Sequence, residues 1–394
     1  MSNYISGSSS KIGACIEASF NAARTTSPYQ IRMTSESLQA TYNKLDEGVL
    51  MASKTQPEQE LGSVSVSGDV STVLNPSFIQ WLMKATLGKE YNYGTTAEPV
   101  YQQETVIGRE GYNTSDSEPT GQEAIQRERT YLLAEPNEDL PSSGIELWRG
   151  NQGFYYSGMT VSNMSLEAPS QDFVKANVTF NGTKEQYLGD DPSEEQIVDA
   201  TFGGSYKCTK AKLRKANAGS DTLAQFFPGG VVDWDSCPAH EVYDVETSTL
   251  TVDNGIEETP ATYCSGLYAN QPGHGQRSVT LACNVPYSND FEDFRQDYYA
   301  KEDPDKLALL LQFATKENYT YYPGTATETA STPSTIPMHQ VLVILPYISI
   351  SEISANAGGS GMIEGSFTGT ALSVGNTEPI KVIVRDYDWQ AHQE

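Results

Sequence analysis

Residues 159–183 read MTVSNMSLEAPSQDFVKANVTFNGT, and residues 348–370 read ISISEISANAGGSGMIEGSFTGT. Val161-Ser-Asn-Met-Ser165 lies over Ile350-Ser-Glu-Ile-Ser354, and Phe180-Asn-Gly-Thr183 over Phe367-Thr-Gly-Thr370. Each stretch alternates apolar and polar side chains, breaks at a short turn-rich link, and alternates again. A period of two places one set of side chains on a buried face and the other on a wet one, so each stretch is expected to be a β-hairpin. Two matched hairpins this far apart predict a duplicated unit.

The match continues toward the N-terminus. Gly62-Ser-Val-Ser-Val-Ser-Gly-Asp-Val-Ser71 is a strand pattern whose counterpart is Arg277-Ser-Val-Thr-Leu-Ala-Cys-Asn-Val285. A helix is expected after each. In the first copy Asn75 can cap free N–H groups, Pro76 suits the first helical position, Phe78, Leu82 and Ala85 form a stripe, and Gly88 suits the C-terminal cap. In the second copy Ser288 or Asn289 can cap, and Phe291, Phe294 and Tyr298 form the stripe. Residues 37–42 and 249–253 predict an upstream strand in each copy. Residues 129–134 and 307–313 predict a further strand between helix and hairpin. Residues 1–30 show little periodicity, residues 88–127 resemble a loop, residues 184–240 a link, residues 314–337 a polar excursion, and residues 379–384 a last strand. Alternation is common in β-rich chains, and it is the colinear order, helix included, that carries the duplication.

The chain has 394 residues, 38% apolar and 19% charged, which suffices for two cores of ordinary size. Its net charge of −26 opposes wrapping a nucleic-acid backbone, a task that needs Lys and Arg to displace counterions. That charge is compatible with a surface DNA passes without adhering, or with simple solubility. No apolar run is long enough to span a bilayer as a helix, and the start lacks the basic-then-apolar pattern of a secretory signal. The five cysteines, Cys15, Cys208, Cys237, Cys264 and Cys283, are scattered and odd in number, and free thiols are expected.

No catalytic constellation emerges. Cys237-Pro-Ala-His240 with Cys264 and His274 matches no zinc spacing. Carboxylate pairs such as Glu257-Glu258 or Asp190-Asp191 follow from composition alone. None of His240, His274, His339 and His392 adjoins a nucleophile pattern, and Gly273-His-Gly275 is expected to be a turn. Trp81 and Trp148 are expected in the core or an interface, whereas Asp233-Trp-Asp235 and Asp388-Trp389 remain ambiguous. No catalytic residue, cofactor site or metal site is therefore expected.

Thr34-Ser-Glu-Ser-Leu38, the Ser63–Ser71 strand, and Pro76-Ser-Phe-Ile-Gln-Trp-Leu-Met83 resemble, in order, the start of tail tube (major tail) proteins of long-tailed, non-contractile bacteriophages. Tyr156-Ser-Gly-Met-Thr-Val-Ser-Asn-Met-Ser-Leu166 and Val178-Thr-Phe-Asn-Gly182 are similar to that family's closing hairpin, and Asp253-Asn-Gly-Ile-Glu257 also fits it. The insertions at 88–127 and 184–240 depart from the pattern. The resemblance implies an all-β fold with minor α content: two tandem β-sandwich or barrel domains, each with one packed helix and long loops. The expected division is 1–190, a connecting segment 191–240, and 241–394. It further implies a non-enzymatic virion protein, assembled in the host cytoplasm, that polymerises into stacked rings forming the tube through which DNA is ejected. Its implied partners are copies of itself, the tape measure, terminator and distal tail proteins, and DNA that crosses the lumen without specific binding. Two copies per chain would close a ring of three chains with pseudo-six-fold symmetry and a negative lumen. A carbohydrate-binding β-sandwich adhesin, or a tail or capsid decoration protein, is the alternative.

Overall fold

The computed structural model describes residues 7–24, 27–46, 59–95, 98–113, 118–135, 138–199, 204–217, 219, 226, 245–257, 268, 271–300, 307–323, 332–356 and 363–390. Antiparallel strands dominate, with two helices among these residues, so the fold is all-β with minor α. The first half contains β1 (Ser10–Ile16), β2 (Tyr29–Ile31), β3 (Met33–Glu36), β4 (Gln39–Asp46), β5 (Gln59–Val73), α1 (Pro76–Leu87) and β6 (Gly88–Glu90). Next come β7 (Gln103–Asn113), β8 (Glu118–Leu133), β9 (Ser143–Arg149), β10 (Gln152–Pro169), β11 (Lys175–Gly182) and β12 (Lys184–Gly189). The second half has β13 (Tyr206–Asn217), β14 (Thr247–Asp253), β15 (Ile256–Glu257), β16 (Gly273–His274), β17 (Ser278–Pro286) and α2 (Asn289–Ala300). It ends with β18 (Leu307–Thr315), β19 (Asn318–Pro323), β20 (Ser334–Pro337), β21 (His339–Asn356), β22 (Glu364–Ala371) and β23 (Lys381–Gln390).

The hairpins read from sequence are β10–β11 and β21–β22. Each residue of the second stands 189 positions beyond its ladder counterpart in the first: Val161 and Ile350 mark the same bulge, and Lys175 and Glu364 close the same end. The extra residue of each bulge is a serine. Ser162 Oγ donates to the Thr179 carbonyl at 3.1 Å and Ser351 Oγ to the Thr368 carbonyl at 3.1 Å. A bulge bends its strand and raises the local twist. Both β10 and β21 have another register shift earlier, between Tyr156 and Met159 and between Leu345 and Ile348. These shifts let each long strand leave one sheet and enter another. Its first half pairs with β9 or β18, its second half with β11 or β22.

The strand and helix before each hairpin also recur, 213 positions apart. Val70 faces Val178 as Cys283 faces Phe367. Asn75 Oδ1 accepts the Phe78 N–H at 3.2 Å, and Ser288 Oγ accepts the Phe291 N–H at 3.2 Å, so Ser288 rather than Asn289 caps α2. Gly88 ends α1 at φ 88 and donates its N–H to the Lys84 carbonyl, as the C-cap pattern predicted. Phe78, Ile79, Leu82 and Met83 bury the α1 stripe, each contributing roughly 1.5–3 kcal/mol of burial. Trp81 meets Phe180 at 6.3 Å and Phe294 meets Phe367 at 5.5 Å, so each helix lies over its own hairpin. The Tyr298 side chain lies outside the described residues.

Several expectations change. The Phe180/Phe367 match is out by two positions, because the ladders set Val178 against Phe367 and Phe180 against Gly369. A slip of two keeps every side chain on its face, so alternation cannot detect it. The counterpart of β18 is β9, not residues 129–134, because β9 lies on β10 as β18 lies on β21. Residues 129–134 belong largely to β8, whose partners are β7, β6 and β23. Residues 88–127 are thus mostly strand rather than loop, and the 314–337 excursion holds β19, which pairs with β20 on one side and meets β7 through Tyr322 and Arg109. Residues 1–30 include β1, whose Ile12, Ala14 and Cys15 are buried against β9. The link 184–240 includes β12, paired with β10, and β13, paired with β18. The last strand runs to Gln390, and Gly273-His274 is a short strand opposite Ile256-Glu257, not a turn.

Candidate functional site

The ladders join strands of both halves into one sheet in the order β4, β5, β11, the second half of β10, β14, β17, β22, and the second half of β21. The central contact is β10–β14, with Asn163 opposite Asp253 and Pro169 opposite Thr247. One face of this sheet is apolar: Val66, Val178, Met164, Leu250, Leu281 and Phe367 are buried beneath the helices. The opposite face carries Ser67, Asp69, Thr179, Ser165, Glu167, Thr251, Thr280 and Ser366, all half-buried or exposed.

That polar face is short-chained, hydroxyl-rich and acidic. Within 35–41, 63–73, 163–169, 175–181, 247–253, 278–286, 352–356 and 364–371 the only Lys or Arg is Lys175. Lys175 sits at the sheet end and forms an ion pair with Asp172 at 2.7 Å. The acidic groups of these segments include Asp69, Glu167, Asp253, Glu352 and Glu364. Cross-strand bonds hold the side chains in place. Thr179 Oγ1 donates to Asp69 Oδ1 at 2.6 Å, Asn177 Nδ2 donates to Glu167 Oε1 at 3.0 Å, and the Ser354 and Ser366 hydroxyls share a bond of 2.8 Å. With little cationic charge in reach, such a wall gives a phosphate no counter-charge to replace its own ions.

Cys237, His240, Cys264, Glu258, Trp234 and His392 lie outside the described residues, as do the side chains of Cys208, His274, Glu257 and Trp389. Among the described residues no group of three or more His, Cys, Asp or Glu could hold a metal ion. Cys15 and Cys283 are buried thiols outside any disulfide; burial pushes the Cys15 thiol up to about 11 and the Cys283 thiol further, so both stay protonated near neutrality. His339 Nδ1 pairs with Asp386 Oδ1 at 2.7 Å, where Asp386 also accepts from Gln80. Asp190 and Asp191 are exposed on a turn, and Asp191 caps the Ser193 N–H at 2.9 Å. Trp148 is buried and donates to Glu146 at 2.7 Å, while Trp81 packs on α1 and its hairpin. Of the Lys and Arg residues at 207–215, Lys207 lies over the Phe173 ring at 5.2 Å, Lys215 over Phe294 at 5.7 Å, and Arg214 is buried and donates to Gln312, while the side chains of Lys210 and Lys212 lie outside the described residues.

The polar face escaped sequence reasoning because no residue on it is chemically distinctive. Its signal was the polar half of the alternation itself, Ser, Thr and Asn recurring in every strand that the apolar half identified.

Among the described residues no helix is long and apolar enough to cross a membrane. No curated protein matches the chain. A family model described as phage tail tube protein matches residues 7–371, nearly the whole length. The chain therefore belongs to the phage tail tube protein family and is a structural component of the virion tail.

Proposed function

We propose that each chain supplies two tandem tube domains, 1–190 and 241–394 joined by 191–240, and that three chains close into a ring with pseudo-six-fold symmetry. Stacked rings form the tube through which DNA is ejected, and the polar sheet face lines its lumen. Family membership supports assembly into a tube together with other tail proteins, here the tape measure, terminator and distal tail proteins. The observation that carries the ring size is the β10–β14 ladder, which joins two sets of strands sharing bulges, caps and hairpin lengths.

A closed ring needs heterologous contacts whose rotations sum to a full turn. Six such contacts divide into two kinds, one inside the chain and one between chains. Fusion holds one neighbour at high effective concentration and frees the two contacts to diverge. DNA passage without adhesion follows from the acidic, hydroxyl-rich wall, since like charge repels phosphate at short range. As a protein of the virion tail, the chain is made and assembled in the host cytoplasm. Mass per ring, from scanning transmission microscopy of assembled tubes, tests this: three chains per ring supports it, and six overturns it.

A further inference from the structure

The chain leaves open two strand edges that match the two edges it joins internally. On the inner contact, Asn163, Met164, Ser165 and Leu166 of β10 face Asp253, Val252, Thr251 and Leu250 of β14. The counterparts on β21 are Glu352, Ile353, Ser354 and Ala355, each 189 positions on, and they pair with β22 on one side. Their other side carries no ladder among the described residues. β14 in turn has a counterpart in the line formed by β3 and β4, 212 positions earlier. Thr251 faces Thr280 as Gln39 faces Ser67, and Ser248 faces Cys283 as Glu36 faces Val70. The outer side of the β3–β4 line also carries no ladder among the described residues.

We propose that, in the ring inferred above and resting on that reading, the β3–β4 line of one chain adds antiparallel to residues 352–356 of the next chain. The register is the one β14 takes on β10: Thr41 opposite Glu352, Ala40 opposite Ile353, Gln39 opposite Ser354, and Leu38 opposite Ala355. The partner is a second copy of this chain, and the contact is strand addition at a sheet edge.

Burial supports the assignment independently of the ladders. At the inner contact Met164 is 1% exposed, Leu166 1% and Val252 0%. Their counterparts Ile353, Ala355 and Ala40 are only half-buried, packed against the same core with one side uncovered. β4 continues past this segment with Tyr42 and Leu45 exposed at 54% and 56%, large apolar groups on an edge. An exposed edge with apolar groups invites another strand, and a chain that polymerises uses it instead of blocking it. The pairing carries the acidic, hydroxyl-rich face across the junction without a break, bringing Gln39 and Thr41 beside Ser354 and Glu352.

The test is disulfide trapping in tubes assembled from the full chain. Gln39→Cys with Ser354→Cys, and Thr41→Cys with Glu352→Cys, place thiols opposite each other on the wet face, within the roughly 7 Å Cα separation a disulfide tolerates. Ser37→Cys with Glu352→Cys is the control, four residues out of register and beyond that reach. The expected result is a shift of the monomer band on a non-reducing gel to covalent dimer and trimer for both matched pairs, with the control and the single-cysteine chains remaining monomeric. Covalent species stopping at six chains would support the register and overturn the ring size. Tubes in which the matched pairs stay monomeric, or in which the control cross-links in their place, overturn the register and leave the ring size to mass measurement.

Discussion

Asn254 donates its side-chain amide to the Thr86 carbonyl at 3.0 Å, joining the residue just after β14 to the last turn of α1. The same amide donates to the Val161 carbonyl at 2.9 Å, at the bulge of β10, and the residue is fully buried. One side chain from the second half thus satisfies two main-chain acceptors of the first, beside the ladder that joins the halves.

Asn254→Ala should therefore destabilise the chain more than its size implies. It leaves two buried carbonyls without these donors, and each unsatisfied buried group costs about 1–3 kcal/mol. The expected total is about 2–6 kcal/mol, read as a lower denaturation midpoint. A change within a few tenths of a kcal/mol would show that water replaces the amide.

Gly68 of β5 sits at φ 154 opposite the point where β3 gives way to β4, and a Cβ there would stand 2.6 Å from the Ser37 carbonyl oxygen and 2.7 Å from Leu38 Cα. Those contacts are main chain and cannot rotate away. Gly68→Ala should lower stability by about 1–3 kcal/mol and displace the edge that carries Leu38. Denaturant titration together with tube yield by negative-stain microscopy checks both effects. Unchanged stability would mean that the β3–β4 line moves freely.

Glu17 has a raised pKa. Burial is the main cause, and bonds from Ser142 Oγ and the Gly158 and Asn21 N–H groups offset only part of it. A carboxyl whose folded pKa exceeds its unfolded value of 4.5 binds its proton more tightly when folded. Its contribution to stability is therefore most favourable below 4.5 and declines as pH rises through the folded pKa. Glu17→Gln should remove that decline, so the stability difference between variant and parent grows in the variant's favour from pH 4.5 toward neutrality. Paired denaturation curves across that range measure it, and a constant difference would show that Glu17 titrates normally.

Lysines on the polar sheet face should impede DNA. Ser67→Lys with Thr251→Lys adds two cations per chain to half-buried or exposed positions and leaves the core untouched. Tails should assemble normally, while ejection slows at low salt and recovers as salt rises, because phosphate contacts weaken with ionic strength. Ejection kinetics at two salt concentrations provide the readout. Equal rates for variant and parent would place this face away from the DNA.

Much of the fold was legible in the sequence because it follows from local rules. Alternation located β5, β10, β11, β14, β17 and β21–β22, and Asn75-Pro76 and Gly88 fixed the ends of α1. Two features misled. Residues 88–127 read as loop because the apolar residues of β7 and of the start of β8 fall as adjacent pairs, Val106-Ile107 and Ala124-Ile125, and residues 314–337 because β19 and β20 are short, so no apolar period marked them. The Phe180/Phe367 match slipped by two because alternation is blind to a two-residue shift, and an aromatic can reach its helix from either row. The sequence by itself determined strand faces, helix ends, the acidic balance and the family resemblance. Only the tertiary structure decided which strands are neighbours, that β9 rather than residues 129–134 is the counterpart of β18, and that β14 closes onto β10. Pairing between strands far apart in the chain depends on edges and bulges whose hydrogen-bonding groups belong to the backbone, common to all residues and therefore silent in the sequence.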